Sequence, residues 1–212
     1  MGSCCENNCT VEALHERQRG TLVKVLWINA IMFIVIVVAA FYGKSTALLS
    51  DSLDNLGDAL TYGLSLLAVS KGVAEKARVA LFKGGLIFVA ASLVVAQIIH
   101  RLISPVLPSY EVMSIFSLAG LVANSLCLFM LWRHRHEDIN MSSVFECSRN
   151  DIASNLSVIL AAIGVWMFSS GLPDIIIAAL LAALLLNSSA RVIKGALSEL
   201  AKSNKRLWRQ DL

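Results

Sequence analysis

Six apolar stretches follow one another at short polar intervals, over residues 22–42, 46–70, 81–103, 112–132, 142–168 and 175–193. A helix needs about 20 residues to cross a hydrocarbon core of about 30 Å, so each stretch is long enough to span a bilayer once. Little sequence remains outside them. Apolar residues make up 57% of the chain and charged residues 16%, a balance of the membrane class and not of a soluble domain. The fold expected is therefore all-α: a polytopic membrane protein of six transmembrane helices with no separate soluble domain.

Charge sets the expected orientation. When alternate connections are assigned to alternate sides, 15 of the 18 Lys and Arg residues fall on one side, in the amino-terminal segment, the 71–83 connection, Arg133 and Arg135, and the tail. Lys44 and Arg101 fall opposite and Arg149 lies within a span. The positive-inside rule then puts both termini in the cytoplasm. The net charge of +3 reads as a topology signal, with juxtamembrane anchoring accounting for the basic tail and no nucleic-acid partner expected. The first 19 residues carry acids and polar groups in place of a basic run and apolar core, so they do not read as a cleaved signal peptide. Cys4, Cys5 and Cys9 fall in the cytoplasm, Cys127 in the fourth span and Cys147 in the fifth, so disulfides are not expected.

Against this apolar background two motifs stand out, Asp54 with Asp58 and Cys147 with Asp151. Ionisable groups at membrane depth are expensive and mark ion or proton paths. Residues four apart share a helix face, so each motif projects two metal-capable groups together. Asp54 lies nine residues from the outer edge of its span and Asp151 nine from the inner edge of the fifth, roughly 14 Å in each case, which sets them level. The same count sets Asp58 level with Cys147. Three carboxylates and a thiolate suit a tetrahedral divalent ion, and the thiolate biases the set toward zinc or cadmium. The competing reading is a structural polar contact, each Asp being satisfied by Asn29, Asn124 or Asn155. Because ligation requires deprotonated groups, metal and protons compete for one site, and alternating its access would exchange cation for proton.

These residues resemble the cation diffusion facilitator family. Its members have six spans with cytoplasmic termini, and a tetrahedral site built from an (H/D)xxxD pair on the second helix and another on the fifth. STALLSDSLDNLGDALTYGLSLL resembles the family's second helix and assigns Asp54 and Asp58 to its ligand positions. SVFECSRNDIASNLSVILAAIGVW resembles the fifth, with Asp151 at the Asp position and Cys147 where the family usually has His or Asp. The likeness covers residues 20–195 or so. It implies a secondary transporter of the bacterial cytoplasmic membrane that exports divalent cations in exchange for protons, with no cofactor. The transported ion would be Zn²⁺ or Cd²⁺ first, with Co²⁺, Ni²⁺, Fe²⁺ and Mn²⁺ also open.

The family usually carries a metallochaperone-like domain after the sixth helix, and here about 19 residues follow Ile193, which resembles a short bacterial subgroup. The expected organisation is a cytoplasmic segment over 1–21, a transport domain over 22–193 and a short basic cytoplasmic tail over 194–212. A homodimer would then rest on membrane helices, with Gly84, Gly85, Ala90 and Ala91 offering small-residue packing either between subunits or within one.

Secondary signals are weaker. Cys4, Cys5 and Cys9, with Glu6 and His15 nearby, are candidates for metal capture at the cytoplasmic entrance, although their spacing fits no standard zinc module. Asp51, one turn from Asp54, and His134, His136 and Asp138 before the fifth span are candidates for an accessory or proton-relay role. Helix-end stabilisation competes for Asp51, a solvated turn for the loop, and Asp174 reads as a helix start. Two rival functions are a passive metal channel and a membrane phosphotransferase using the Asp51, Asp54 and Asp58 run. The second lacks the DGxxAR pattern that such an enzyme needs.

Overall fold

The computed structural model describes the backbone of residues 3–68, 73–133 and 139–210, and within these the side chains of residues 19–63, 66, 77–133, 145 and 147–202. The candidates Cys4, Cys5, Cys9, His134, His136 and Asp138 lie outside the described side chains. Six helices form: α1 (Ser3–Gly43), α2 (Thr46–Ala68), α3 (Val73–Ile103), α4 (Tyr110–Trp132), α5 (Ile139–Phe168) and α6 (Leu172–Gln210). α1, α2, α4 and α5 make a four-helix bundle, in which α1 packs on α2 and α4, and α5 on α4 and α2. α3 and α6 pair with each other and lie against α2, with α6 also touching α5.

The distribution of polarity is that of a membrane protein. Phe41, Phe82, Phe129 and Trp166 point outward and exposed, while Asn29, Ser50, Asp51, Ser52, Asn55, Asn124 and Asn155 are buried. In lipid the outer surface needs no polar groups, and polar side chains instead face the bundle interior. Among the described residues, Arg19–Gly43, Ala77–Ile103, Tyr110–Trp132, Cys147–Phe168 and Leu172–Lys202 are long and apolar enough to cross a membrane. α2 carries Asp51, Asp54 and Asp58 and is enclosed by α1, α3, α5 and α6, so lipid does not have to solvate its charges. The chain is an integral membrane protein of six helices.

The helices overrun the apolar stretches. α3 begins at Val73 where the hydropathy edge lies at residue 81, and α6 continues to Gln210 beyond residue 193. Lys, Arg, Glu and Ala are good helix formers, and a helix has no reason to stop at the bilayer surface. One consequence is a correction: Lys83, expected in a connection, lies inside α3 and faces the protein.

Few residues are spent on turns at the end of the bundle where α1 meets α2. Lys44 adopts a left-handed conformation (φ 52°) just past Gly43. The Ser45 N–H then returns to the Ala40 carbonyl at 3.0 Å, closing the end of α1. Ser45 caps α2 in the next step, its hydroxyl accepting from the Leu48 N–H at 3.1 Å. Asp174, in the first turn of α6, reaches across and accepts from the Ser45 hydroxyl at 2.5 Å, the Thr46 N–H at 2.8 Å and the Ala47 N–H at 3.1 Å. A carboxylate from one helix thereby caps another. Nearby, the Ser109 N–H donates to the Gly43 carbonyl at 2.9 Å, tying the start of α4 to the end of α1.

Two apolar clusters fill the interior. The larger one includes Ile36, Leu48, Leu53, Met113, Val158 and Val165, towards the α1–α2 turn. The smaller one, Val25, Tyr62, Cys127 and Leu131, lies towards the opposite end. Between them runs the belt of buried polar residues. Gly120 lets α4 approach α5 there, since a Cβ on it would run into the Asn155 side chain. Asn155 is held in place by its amide, which donates to the Asp151 carbonyl at 2.7 Å. Gly120→Ala is expected to lower stability by about 1–3 kcal/mol through overpacking. Thermal unfolding in detergent reads this directly; an unchanged midpoint would show that Asn155 can move at no cost.

Candidate functional site

α2 and α5 carry the two polar motifs to one cavity of about 450 Å³ lined by α2, α3, α5 and α6. Asp54, Asp58, Cys147 and Asp151 all line it. Apolar residues of α6, among them Leu181 and Leu185, form the facing wall. Gly84, opposite Ile193 and Val192, seats α3 on α6, and the Ser189 hydroxyl donates to its carbonyl at 2.7 Å. This close helix pair fixes the far side of the cavity.

Asp58 is the hub. Its carboxylate accepts from the Tyr62 hydroxyl one turn along α2. Asp151 and Cys147 lie near Asp58 across the helix interface, close enough for their side chains to interact with its carboxyl group. Asp58 and Asp151 are both buried, at 8% and 4% exposure, while Cys147 is half-buried. Asp54 sits one turn away, and its Oδ2 accepts from the Ser154 hydroxyl at 2.9 Å. Among the described residues no three Asp, Glu, His or Cys side chains close around a single point as a formed metal centre.

Depth counting set Asp58 level with Cys147 and Asp54 level with Asp151. In the structure Asp58 lies near both Cys147 and Asp151, and Asp54 accepts from Ser154, three residues on from Asp151.

Three neighbours escaped the sequence reading. Tyr62 follows Asp58 by four residues and Ser154 follows Asp151 by three, so the helix-face rule extended by one more turn would have found both. Lys83 carries no such signal. It lines the cavity from α3, donates to the Thr61 hydroxyl, and its charge acts on Asp58 and Cys147. A cation at this position balances part of the local negative charge. Asp51, by contrast, is fully buried but does not line the cavity. Among the described residues Cys127 and Cys147 are free thiols.

Chemically the arrangement offers three carboxylates and one thiol beside a partly open cavity, with hydroxyl and ammonium groups in support. Residues 22–201 match the family model described as the cation efflux transmembrane domain. The chain is also similar to a curated protein of Bacillus subtilis (strain 168) named cadmium, cobalt and zinc/H(+)-K(+) antiporter. The two are 25% identical over 203 residues, an alignment covering 86% of this chain and 65% of that protein's length.

Proposed function

Since the chain belongs to the cation efflux transmembrane-domain family, whose members are transporters and not enzymes, we propose that it is a secondary transporter exporting divalent transition-metal cations in exchange for protons. The observation that carries this reading is that Asp58, Asp151 and Cys147 line one cavity close enough to one another to interact. Two carboxyl groups side by side at membrane depth repel when both are ionised, so without metal one of them carries a proton. A divalent ion ligated by both must displace that proton, and a thiol that becomes a ligand releases another. Loading metal and losing protons are then one event at Asp58, Asp151 and Cys147, with Asp54 joining as the fourth ligand.

Zinc and cadmium are the proposed first substrates because a thiolate prefers borderline and soft ions to magnesium or calcium. The name of the Bacillus subtilis relative is in keeping with that choice. The Lys and Arg bias supports both termini lying in the cytoplasm of a bacterial cell, and the match to a cation efflux domain supports outward transport. Rocking of the α3–α6 pair against the four-helix bundle would expose the site alternately.

The test is flux. Purified protein in liposomes is expected to take up Zn²⁺ and Cd²⁺ saturably, with one proton flow opposing each metal flow. Linear, proton-independent flux would instead identify a passive channel. Cys147→Asp is expected to keep Zn²⁺ flux within about tenfold while depressing Cd²⁺ more strongly, since only the soft ligand is lost.

A homodimer through α3 is part of the same reading. Gly84 and Ala91 are used within the subunit, whereas Gly85 and Ala90 border an open outer groove with Phe82, Leu86 and Leu93. A Gly85→Cys variant should cross-link in the membrane to twice the monomer mass; a wholly monomeric product would remove this interface.

A further inference from the structure

The cavity uses Asp54, Asp58, Cys147 and Asp151, but a second set of polar groups lies behind them, inside the α1, α2, α4 and α5 bundle. Asn29 comes from α1, Asp51 and Asn55 from α2, Ser117 and Asn124 from α4, and Ser148 and Asn155 from α5. None is more than 1% exposed, and none lines the cavity. Each helix presents its members on one face, at spacings of four or seven residues.

Several observations bring the middle of this belt together. The Asn155 side chain lies against Gly120, one turn from Ser117 on α4. Its amide nitrogen is committed to the Asp151 carbonyl at 2.7 Å. Asn55 likewise donates its amide nitrogen to the Asp51 carbonyl at 3.3 Å. With the nitrogens turned back to the backbone, the Asn155 oxygen is directed at Gly120 of α4, and both amide oxygens are buried without a hydrogen-bond partner. Asp51 is close enough to Asp54 and Asp151 for their charges to interact, which puts it beside the α5 stripe.

The remaining polar atoms of this belt have no hydrogen-bond partner among the described residues. Among the described residues ten of the twelve buried, unpaired side-chain polar atoms belong to this belt and to Asp151, including both oxygens of Asp51. An unsatisfied buried polar atom costs about 1–3 kcal/mol, so a concentration of this kind in one bundle marks a place built to receive something polar. The donors of the central group are a carboxylate, two amide oxygens and a hydroxyl. They are all hard oxygens, and with Asp51 ionised they carry one negative charge between them. A single charge balances a monovalent ion, whereas a divalent ion would leave uncompensated charge in a low-dielectric interior. The absence of nitrogen and sulfur donors from this group separates it chemically from the thiol-bearing cavity.

We propose that Asp51, Asn55, Ser117 and Asn155 form a second cation site, for a monovalent alkali ion, behind the transition-metal cavity. Its position near mid-membrane between α2 and α5 suits a coupling or structural ion that sets the relation of those two helices. Binding there would act on Asp151 through the Asn155 amide and on Asp54 through the shared α2 face.

The experiment measures thermal unfolding of the full chain in detergent and a metal chelator, in NaCl, KCl or N-methyl-D-glucamine chloride at equal ionic strength. At saturating alkali salt the midpoint should rise by about 5 °C or more over the organic cation, and the better of Na⁺ and K⁺ identifies the ion. Asp51→Asn should abolish the difference. Ser117→Ala, a milder change, should raise the half-saturating salt concentration several-fold, and it serves if Asp51→Asn does not fold. Asp54→Ala should retain an alkali shift where Asp51→Asn loses it. Equal midpoints of the unaltered chain in all three salts would overturn the proposal, as would loss of the shift in Asp54→Ala, which would assign the ion to the cavity. Because transition metal is excluded, the result does not depend on the transport reading: metal flux can fail while alkali stabilisation persists, and the reverse.

Discussion

Asp58→Asn is expected to reduce metal flux in liposomes by about 100-fold or more, because this side chain lies beside both members of the α5 motif. Asp58 accepts from Tyr62, lies near Cys147 and Asp151 and is nearly buried. The asparagine keeps the volume but loses the charge that a divalent ion requires. Changes to groups that merely support a ligand already cost 10–100-fold in metal affinity, so removing the hub must cost at least as much. Asp54→Asn should be milder, since Asp54 is engaged by Ser154. The pH dependence carries a definite sign. Protons compete with metal for Asp58, Asp151 and Cys147, so apparent affinity should fall as the loading side is acidified, by about tenfold per pH unit for each proton displaced. Flux that survives Asp58→Asn, or affinity indifferent to pH, would remove this residue from the pathway.

The sequence made the faces legible and left the partners hidden. Asp54 with Asp58, and Cys147 with Asp151, share faces because the helix repeat fixes that relation locally, and both pairs reach one cavity. What the repeat cannot fix is how one helix slides along another. The Asp54–Ser154 contact depends on the packing of α2 and α5, which no local pattern encodes. Lys83 was misplaced for a related reason: hydropathy reports where lipid begins, whereas α3 continues beyond that edge and turns its lysine inward to Thr61. The buried asparagines could be seen in the sequence as candidate partners of the site aspartates. Their actual use is different, since Asn29, Asn55 and Asn155 all bind backbone carbonyls four residues back on their own helices.

Asp174→Ala is expected to be the most destabilising single change away from the cavity, at about 3–5 kcal/mol. From the sequence Asp174 is a helix start, and it does stand in the first turn of α6. Its energetic weight comes from the neighbouring helix. The carboxylate takes the Thr46 and Ala47 N–H groups, two of the donors that the first turn of any helix leaves unpaired, together with the Ser45 hydroxyl. It is 2% exposed, so alanine would strand those donors where water reaches them poorly. Hydrogen bonds to a charged group contribute about 1.5–3 kcal/mol each, and the negative charge also complements the amino-terminal end of α2. Asp174→Asn should recover only part of the loss, because its amide nitrogen would face an N–H donor. Ser45→Ala should cost less than Asp174→Ala, and the double variant less than the two added, since both remove the same bond. The consequence reaches the cavity. With the cap gone, the start of α2 is free to shift against α6, and Asp54 lies eight residues, or about 12 Å, along that helix. A melting midpoint unchanged in Asp174→Ala would show that the α2 terminus is held by packing alone.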